Sequence, residues 1–271
     1  MDFASVTNIV ISAATGAAFV TALVVRLALQ SPLWDSFVWA FRFGLGLFLA
    51  WALGREIDPE HDISALAAAL LSVPAMILFG TPMIIGGFWI LIALRCVVRT
   101  AGPKPGAVDG ALITALALWL AYRYSWPYGA TAVLFLLFDA LLKPRNKLSF
   151  LFAGIAAAGT AVITFLLTGG AGTFALSRAM GILIPAVTAA VLFLILTERR
   201  LHARSDDGSH QISRARLRAA QAGSLVLLVL LLYRTGLTGF TDRIPLLAAV
   251  AGAVLYRPVG LLRRPTPDGP L

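Results

Sequence analysis

Apolar runs separated by short polar segments follow one another along the whole chain. Most runs approach the ~20 residues that a helix needs to cross the hydrocarbon core of a bilayer. They are continuous rather than alternating, which excludes a transmembrane β-barrel. The pattern predicts ten helical segments, with nine to eleven as the accepted range, at 8–29, 33–54, 63–81, 82–98, 108–124, 127–142, 148–168, 178–198, 217–234 and 244–260.

Local chemistry marks several of these boundaries. Ser31-Pro32 and Thr81-Pro82 are typical of an N-cap followed by proline at the first helical position. Asp58-Pro59-Glu60 repeats the pattern with an extra acid in the first turn, which favours a helix start. Small residues four apart, such as Gly154/Ala158 and Ala248/Gly252, predict close helix packing.

The predicted fold is therefore all-α, a polytopic bundle of about ten transmembrane helices. We expect one domain over 1–264, with two five-helix halves near 1–125 and 126–264. The Pro-rich tail at 265–271 is expected to be disordered.

Composition supports a membrane protein and excludes several functions. Apolar residues make up 59% of the chain and charged residues 13%, whereas soluble domains carry about 25% charged residues. A single cysteine, Cys96, excludes an intrachain disulfide, and the three histidines lack metal-ligand spacing. We therefore predict no metal and no cofactor. We interpret the net charge of +9 as basic residues that hold loops on the cytoplasmic side, rather than as a sign of nucleic-acid binding.

The basic residues predict an orientation. With the amino terminus inside, the inner segments collect 16 of the 22 basic residues and the outer segments only five. The positive-inside rule then places both termini in the cytoplasm. The excess of arginine over lysine, 19 to 3, favours a bacterial or archaeal plasma membrane. The basic 199–216 loop either contacts anionic lipid headgroups or simply fixes the topology.

The densest polar cluster lies between the second and third segments and contains Arg55, Glu56, Asp58 and Asp62. We predict that its acids form ion pairs with Arg95 or Arg99 of the next inner segment, giving an inner-face charge cluster.

The stretch from Gly54 to Asp58 resembles part of the Asp-rich motif of UbiA-type membrane prenyltransferases, and that resemblance implies a magnesium-held diphosphate. The second Asp-rich loop of that family is absent from this chain.

Charged residues inside segments are the remaining candidates. Arg42 lies ten residues into the second segment, and an arginine left in lipid at such a depth costs ~2.5–3.5 kcal/mol. We predict that it faces the bundle interior and binds backbone carbonyls or an anionic ligand. Asp35 and Asp139 complete the predicted ligand-binding set.

Three classes of function stay open, and no catalytic residue is predicted. The first is a carrier or channel for a small solute or lipid-like molecule, because the ten-segment format and the Ser31-Pro32 … Arg42 pattern are similar to drug/metabolite-type exporters. The second is a non-catalytic subunit, scaffold or assembly factor, with a protein partner or a second copy of the chain. The third is a lipid-modifying enzyme that uses residues 55–62. A non-enzymatic role is favoured.

Overall fold

The computed structural model describes residues 6–100, 104–167, 170, 177–198, 201–206, 208–236 and 239–262. These residues form ten α-helices, and their only β-type pairing is an isolated bridge between Arg204 and Gln211. The helices are α1 Val6–Ala28, α2 Leu33–Ile57, α3 Asp62–Phe79, α4 Ile84–Val98, α5 Ala107–Arg123, α6 Pro127–Leu141, α7 Lys147–Ala161, α8 Arg178–Thr197, α9 Arg214–Thr235 and α10 Ile244–Leu262. A π-helical turn, Val162–Leu167, continues α7, and a 3₁₀ turn, Thr241–Arg243, precedes α10.

The ten helices coincide with the ten predicted segments, and the all-α prediction is confirmed. Within the part of the chain that the structure describes, six helices are long and apolar enough to cross a membrane: α1, α2, α3, α7 with its π-helical turn, α8 and α9. Helices α4 and α6 are also apolar but shorter. The predicted tail at 265–271 lies outside the described residues.

Helices α2 and α6 organise the packing. Helix α2 packs against α1, α3, α4 and α10, whereas α6 packs against α4, α5, α7 and α9. Helices α4 and α9 thus join the two groups, and α8 packs on α9 and α10. Helix α10 belongs to the second predicted half, yet it packs against α2 and α3 of the first half.

Glycine permits the closest of these contacts. A Cβ added to Gly252 of α10 would lie 2.6 Å from the carbonyl oxygen of Ser64 and 2.7 Å from the amide nitrogen of Ala68, both in α3. A Cβ on Gly54 of α2 would lie 2.9 Å from the Cα of Ala65. Small residues therefore allow the backbones of α2, α3 and α10 to approach one another.

Polar contacts join four loops at one end of the bundle, which we call the charged end. It comprises the connections α2–α3, α4–α5, α6–α7 and α8–α9. Three hydrogen bonds illustrate the joining: Arg95 to Glu56, Asn146 to the carbonyl of Pro105, and the amide of His202 to Glu60. At the opposite end, the amide of Met83 donates to Asp242.

Candidate functional site

A buried carboxylate, Asp139 near the end of α6, is the centre of the charged end. Its Oδ1 accepts from Nη2 of Arg99 at 2.7 Å and from Nη1 of Arg216 at 2.9 Å. Its Oδ2 accepts from Nδ2 of Asn146 at 2.9 Å and from Oγ of Ser149 at 2.7 Å. These five residues, which we call the Asp139 cluster, link α4, α6, α7 and α9.

Arg216 also bonds the ends of two other helices. Its guanidinium donates to the carbonyls of Val97 in α4 and of Leu142 and Pro144 after α6, at 2.8–2.9 Å. Carbonyls at helix C-termini lack intrahelical partners, so this one side chain satisfies several of them. Arg99 is the C-cap of α4 in a left-handed conformation with φ of 63°. Glycine usually occupies such a position. The arginine at this position places a side chain that bonds Asp139.

A second buried acid, Glu56 at the end of α2, lies beside the Asp139 cluster. Nε of Arg95 donates to Oε1 of Glu56 at 2.9 Å, and the hydroxyl of Thr100 donates to Oε2 at 2.7 Å. The predicted ion pairing between the 55–62 segment and Arg95 is confirmed. Arg99 instead pairs with Asp139.

The third group contains Asp58, His61, Glu198 and Arg257. Nη2 of Arg257 donates to Oε2 of Glu198 at 2.6 Å, and Nη1 lies 3.7 Å from Oδ1 of Asp58. Nδ1 of His61 lies 3.0 Å from the same Asp58 oxygen. Both carboxylates and the Arg257 side chain are buried. This group joins the end of α8 to α10 and to the α2–α3 loop.

The hydrogen bond to Asp58 raises the pKa of His61 above its usual value, against the opposing effect of partial burial. Because the folded pKa is raised, the stabilisation from charged His61 is fully present below about pH 6.5 and is lost as the pH rises through the folded pKa. We expect the melting temperature of the protein in detergent to exceed that of His61→Gln at pH 5.5. The difference should shrink as the pH rises, and the contribution is of the order of 1 kcal/mol. A difference that stays constant from pH 5.5 to pH 9 would contradict this, and His210→Gln serves as the control.

The segment after α8 packs across the charged end. Oε2 of Glu60 accepts from the amides of His202 and Ala203 at 2.8 and 2.9 Å. The amide of Asp206 donates to the carbonyl of Thr100 at 2.7 Å, and Leu201 and Ile212 are buried. This loop is thus folded against the helices, beyond the topological role that its charge alone suggests.

A pocket of about 400 Å³ opens where this loop meets the Asp139 cluster. Its lining includes Arg99, Lys104, His210 and Arg216. The rest of the wall is formed by Val98, Pro144, Gln211 and Ser213. We call it the basic pocket, since its described lining includes two arginines and a lysine but no acid.

No family model, curated protein or solved structure matches this chain. The charged end is therefore interpreted from its own residues.

The predicted ligand-binding residues do not come together. Asp139 is at the charged end, whereas Asp35 and Arg42 are in the other half of α2 and are exposed. The predicted inward orientation of Arg42 is wrong. A Cβ on Gly46 would meet Met76, near the end of α3, and Pro82, so Arg42, one helical turn earlier in α2, lies at about the level where α3 ends. Helix α2 is 25 residues long and α3 only 18, so α2 extends past its neighbour.

The predicted inner-face cluster is distributed over the charged end rather than gathered at one point. Glu56 and Asp58 bond different arginines, and the exposed Asp62 lies 3.6 Å from Arg55. In the part of the chain that the structure describes, no three His, Cys, Asp or Glu side chains are grouped so as to bind a metal ion.

Sequence reasoning missed Arg216, Glu198 and Arg257 as network members. One signal was available: Glu198 is the only acid between Asp139 and Asp206. An isolated acid at a helix end, among basic residues, is a candidate for a buried pair. Arg216 and Arg257 had no comparable signal, because they resemble the other arginines of the inner loops.

Proposed function

We propose that the chain is a membrane carrier for a small anionic or lipid-like solute, and that the Asp139 cluster closes its passage at the charged end. One observation carries the proposal: the basic pocket lies directly on the Asp139 cluster. Arg99 and Arg216 belong to both. An anion in the pocket therefore competes with Asp139 for the Arg99 guanidinium. Arg216 contributes its charge, because its N–H groups already donate to Asp139 and to the carbonyls of Val97, Leu142, Lys143 and Pro144.

The position of the pocket supports a carrier. Val98, Arg99 and Lys104 come from the first predicted half, and the other lining residues come from the second. Carriers commonly bind their solutes between two such halves. Because the Asp139 cluster links α4, α6 and α9, a ligand that weakens it favours a state in which these helices separate. A ligand shifts such an equilibrium by its difference in affinity for the two states.

The cellular setting is part of the proposal. The helices cross the plasma membrane of a bacterium or archaeon, and the charged end faces the cytoplasm with both termini. The unequal distribution of basic residues supports this orientation. Anionic lipid headgroups around the 199–216 loop are consistent with its exposed Arg204 and Arg214.

A second candidate is a non-catalytic subunit of a membrane complex. It is favoured by the exposure of Arg42 on a helix face that also exposes Trp34, Phe37 and Phe41. Arg42 interacts electrostatically with Asp242 of its own chain, and an acidic group of a partner or of a second copy of the chain would stabilise its exposed charge further. The lipid-modifying enzyme has less support, because Glu56 and Asp58 are already bonded to arginines.

Accessibility of a buried cysteine separates the carrier from the subunit without knowledge of the solute. Ser224 is buried near the middle of α9, and Cys96 is the only native cysteine. We expect Ser224→Cys, in a Cys96→Ala background, to react with a membrane-impermeant maleimide in proteoliposomes. A carrier hydrates its passage in at least one of its states, so the cysteine becomes accessible from one side.

Ser72→Cys is the matched control. Ser72 is equally buried, but it lies in α3, which packs against α1, α2 and α10 rather than around the proposed passage. We expect it to stay unlabelled. If Ser224→Cys reacts no faster than Ser72→Cys, the carrier proposal is wrong and the subunit is favoured.

A further inference from the structure

The charges around the basic pocket are unequal. Arg99 and Arg216 share one oxygen of Asp139, whose other oxygen is bonded by Asn146 and Ser149. Lys104 adds a third positive charge at the pocket wall. Among the described residues, three cations thus lie around one carboxylate.

Neighbouring acids do not correct this imbalance. Asp109 accepts from the amide of Gly106 at 2.8 Å and caps α5. Asp206 lies 3.9 Å from Arg55. Neither lines the pocket. Counted over the residues that the structure describes, the local excess is therefore about two positive charges, which matches a phosphate at neutral pH, with about −1.5 to −2.

The donors in the pocket match a phosphate as well. The hydrogen bonds of Arg99 to Asp139 use Nε and Nη2, and a guanidinium is a planar donor that suits the oxygens of phosphate. Lys104 supplies an ammonium group, and Ser213 and Gln211 supply neutral donors. The Arg99 and Arg216 side chains are almost fully buried, with 5% and 2% of their surface exposed. A bond from Arg99 to an anion is consequently screened little by solvent, and so is the charge of Arg216, whose N–H groups are already used within the protein.

We infer that the basic pocket binds a phosphate group of a larger molecule. Its volume of about 400 Å³ is within the common range of ligand pockets, about 300–1,000 Å³. Phosphate alone would leave much of it empty, and Val98 and Pro144 provide apolar wall for an organic part. As a statement about the transported solute, this inference rests on the proposed carrier function; as a binding site, it does not.

Two sources of the phosphate are chemically equivalent here: a soluble phosphate monoester and the headgroup of a phospholipid. The test uses the full chain in nanodiscs. Glycerol 3-phosphate is titrated by calorimetry into nanodiscs of phosphatidylcholine. Separately, retention of phosphatidic acid by the protein is measured by native mass spectrometry after extraction from mixed nanodiscs.

The variants are Lys104→Gln and Ser213→Ala, because neither side chain takes part in the Asp139 cluster. We expect Lys104→Gln to weaken binding of the phosphate probe at least about tenfold, since it removes a charge-assisted contact. Ser213→Ala should give a smaller loss. The control is Lys147→Gln, which removes an exposed lysine at the start of α7 that does not line the pocket.

Each outcome has one meaning. Lys104-dependent binding of glycerol 3-phosphate supports the site with a soluble source, and Lys104-dependent retention of phosphatidic acid supports it with a lipid source. Absence of both, or an equal loss in Lys147→Gln, overturns the inference. Phosphate binding without labelling of Ser224→Cys would support the phosphate site and reject the carrier. Labelling of Ser224→Cys without phosphate binding would support the carrier and reject the phosphate site.

Discussion

Replacing Asp139 with alanine is expected to lower the free energy of unfolding in detergent by about 3–5 kcal/mol. The variant leaves Arg99 and Arg216 buried without their carboxylate, and Asn146 and Ser149 lose their acceptor. An uncompensated buried charge is among the largest destabilising changes that one substitution can produce. Chemical denaturation in mixed micelles, followed by far-UV circular dichroism, measures the effect.

Two variants calibrate this result. Ser149→Ala removes one hydrogen bond of the Asp139 cluster and should cost about 1 kcal/mol. Asp35→Ala removes an exposed acid at the start of α2 and should change the free energy of unfolding by less than ~0.5 kcal/mol. If Asp139→Ala were as stable as Asp35→Ala, Asp139 would not be the centre of a buried network.

Replacing Gly252 with leucine is expected to cost about 1–3 kcal/mol or more, because it overpacks the contact between α10 and α3. The atoms that meet the new side chain are backbone atoms of Ser64 and Ala68, which cannot turn aside as the end of a flexible side chain can. The two helices must therefore separate. We expect a lower melting temperature in detergent and faster proteolysis.

Gly154→Ala is the matched control for Gly252→Leu. A Cβ added at Gly154 in α7 meets nothing within 4 Å. Alanine is favoured over glycine in helices by about 0.5–1 kcal/mol, so this variant should be as stable as the parent protein or more stable. A large loss of stability in Gly154→Ala would show that α7 packs against something that the single chain does not contain.

Gly154 and Gly252 also show what the spacing of small residues can predict. Gly154/Ala158 and Ala248/Gly252 have the same spacing, and both predict close helix packing. Only Gly252 makes such a contact within the described chain. The spacing places small residues on one helix face, but which neighbour that face meets depends on the tertiary arrangement.

Helix positions were predictable because they depend on local chemistry. Long apolar runs and the prolines at 32, 59 and 82 define the segments without reference to distant residues. The meeting of the inner loops at one end was predictable too, because consecutive helices that cross a bilayer alternate in direction. The pairing of Arg95 with Glu56 follows from that meeting and from opposite charges.

The orientation of Arg42 was not predictable in the same way. We estimated the depth of Arg42 from the two ends of α2, on the assumption that the neighbouring helices end at the same level. Helix α2 instead extends past α3, which leaves Arg42 exposed. Arg216 and Arg257 were missed for a related reason, because their partners Asp139 and Glu198 are 77 and 59 residues away in sequence.

The carrier proposal would give the buried charges of the charged end a role beyond stability. Removing two ions from water costs several kcal/mol per ion, and apolar residues of similar size often stabilise a protein equally well. When such a network is closed, its charged groups bond one another. When it opens, the same groups can bond water or a ligand. This is a property that the carrier proposal needs and that a rigid scaffold does not need.

The most direct measurement of the central claim is the labelling rate of Ser224→Cys from the charged end, compared in Asp139 and Asp139→Asn backgrounds. Asparagine keeps the size of the side chain and removes its charge, so it weakens the pairs with Arg99 and Arg216. If the Asp139 cluster closes a passage, maleimide added on that side should label Ser224→Cys several-fold faster in Asp139→Asn, while Ser72→Cys stays unlabelled in both. Equal rates at Ser224→Cys, or a rise at Ser72→Cys of the same size, would contradict a closed passage beneath the basic pocket.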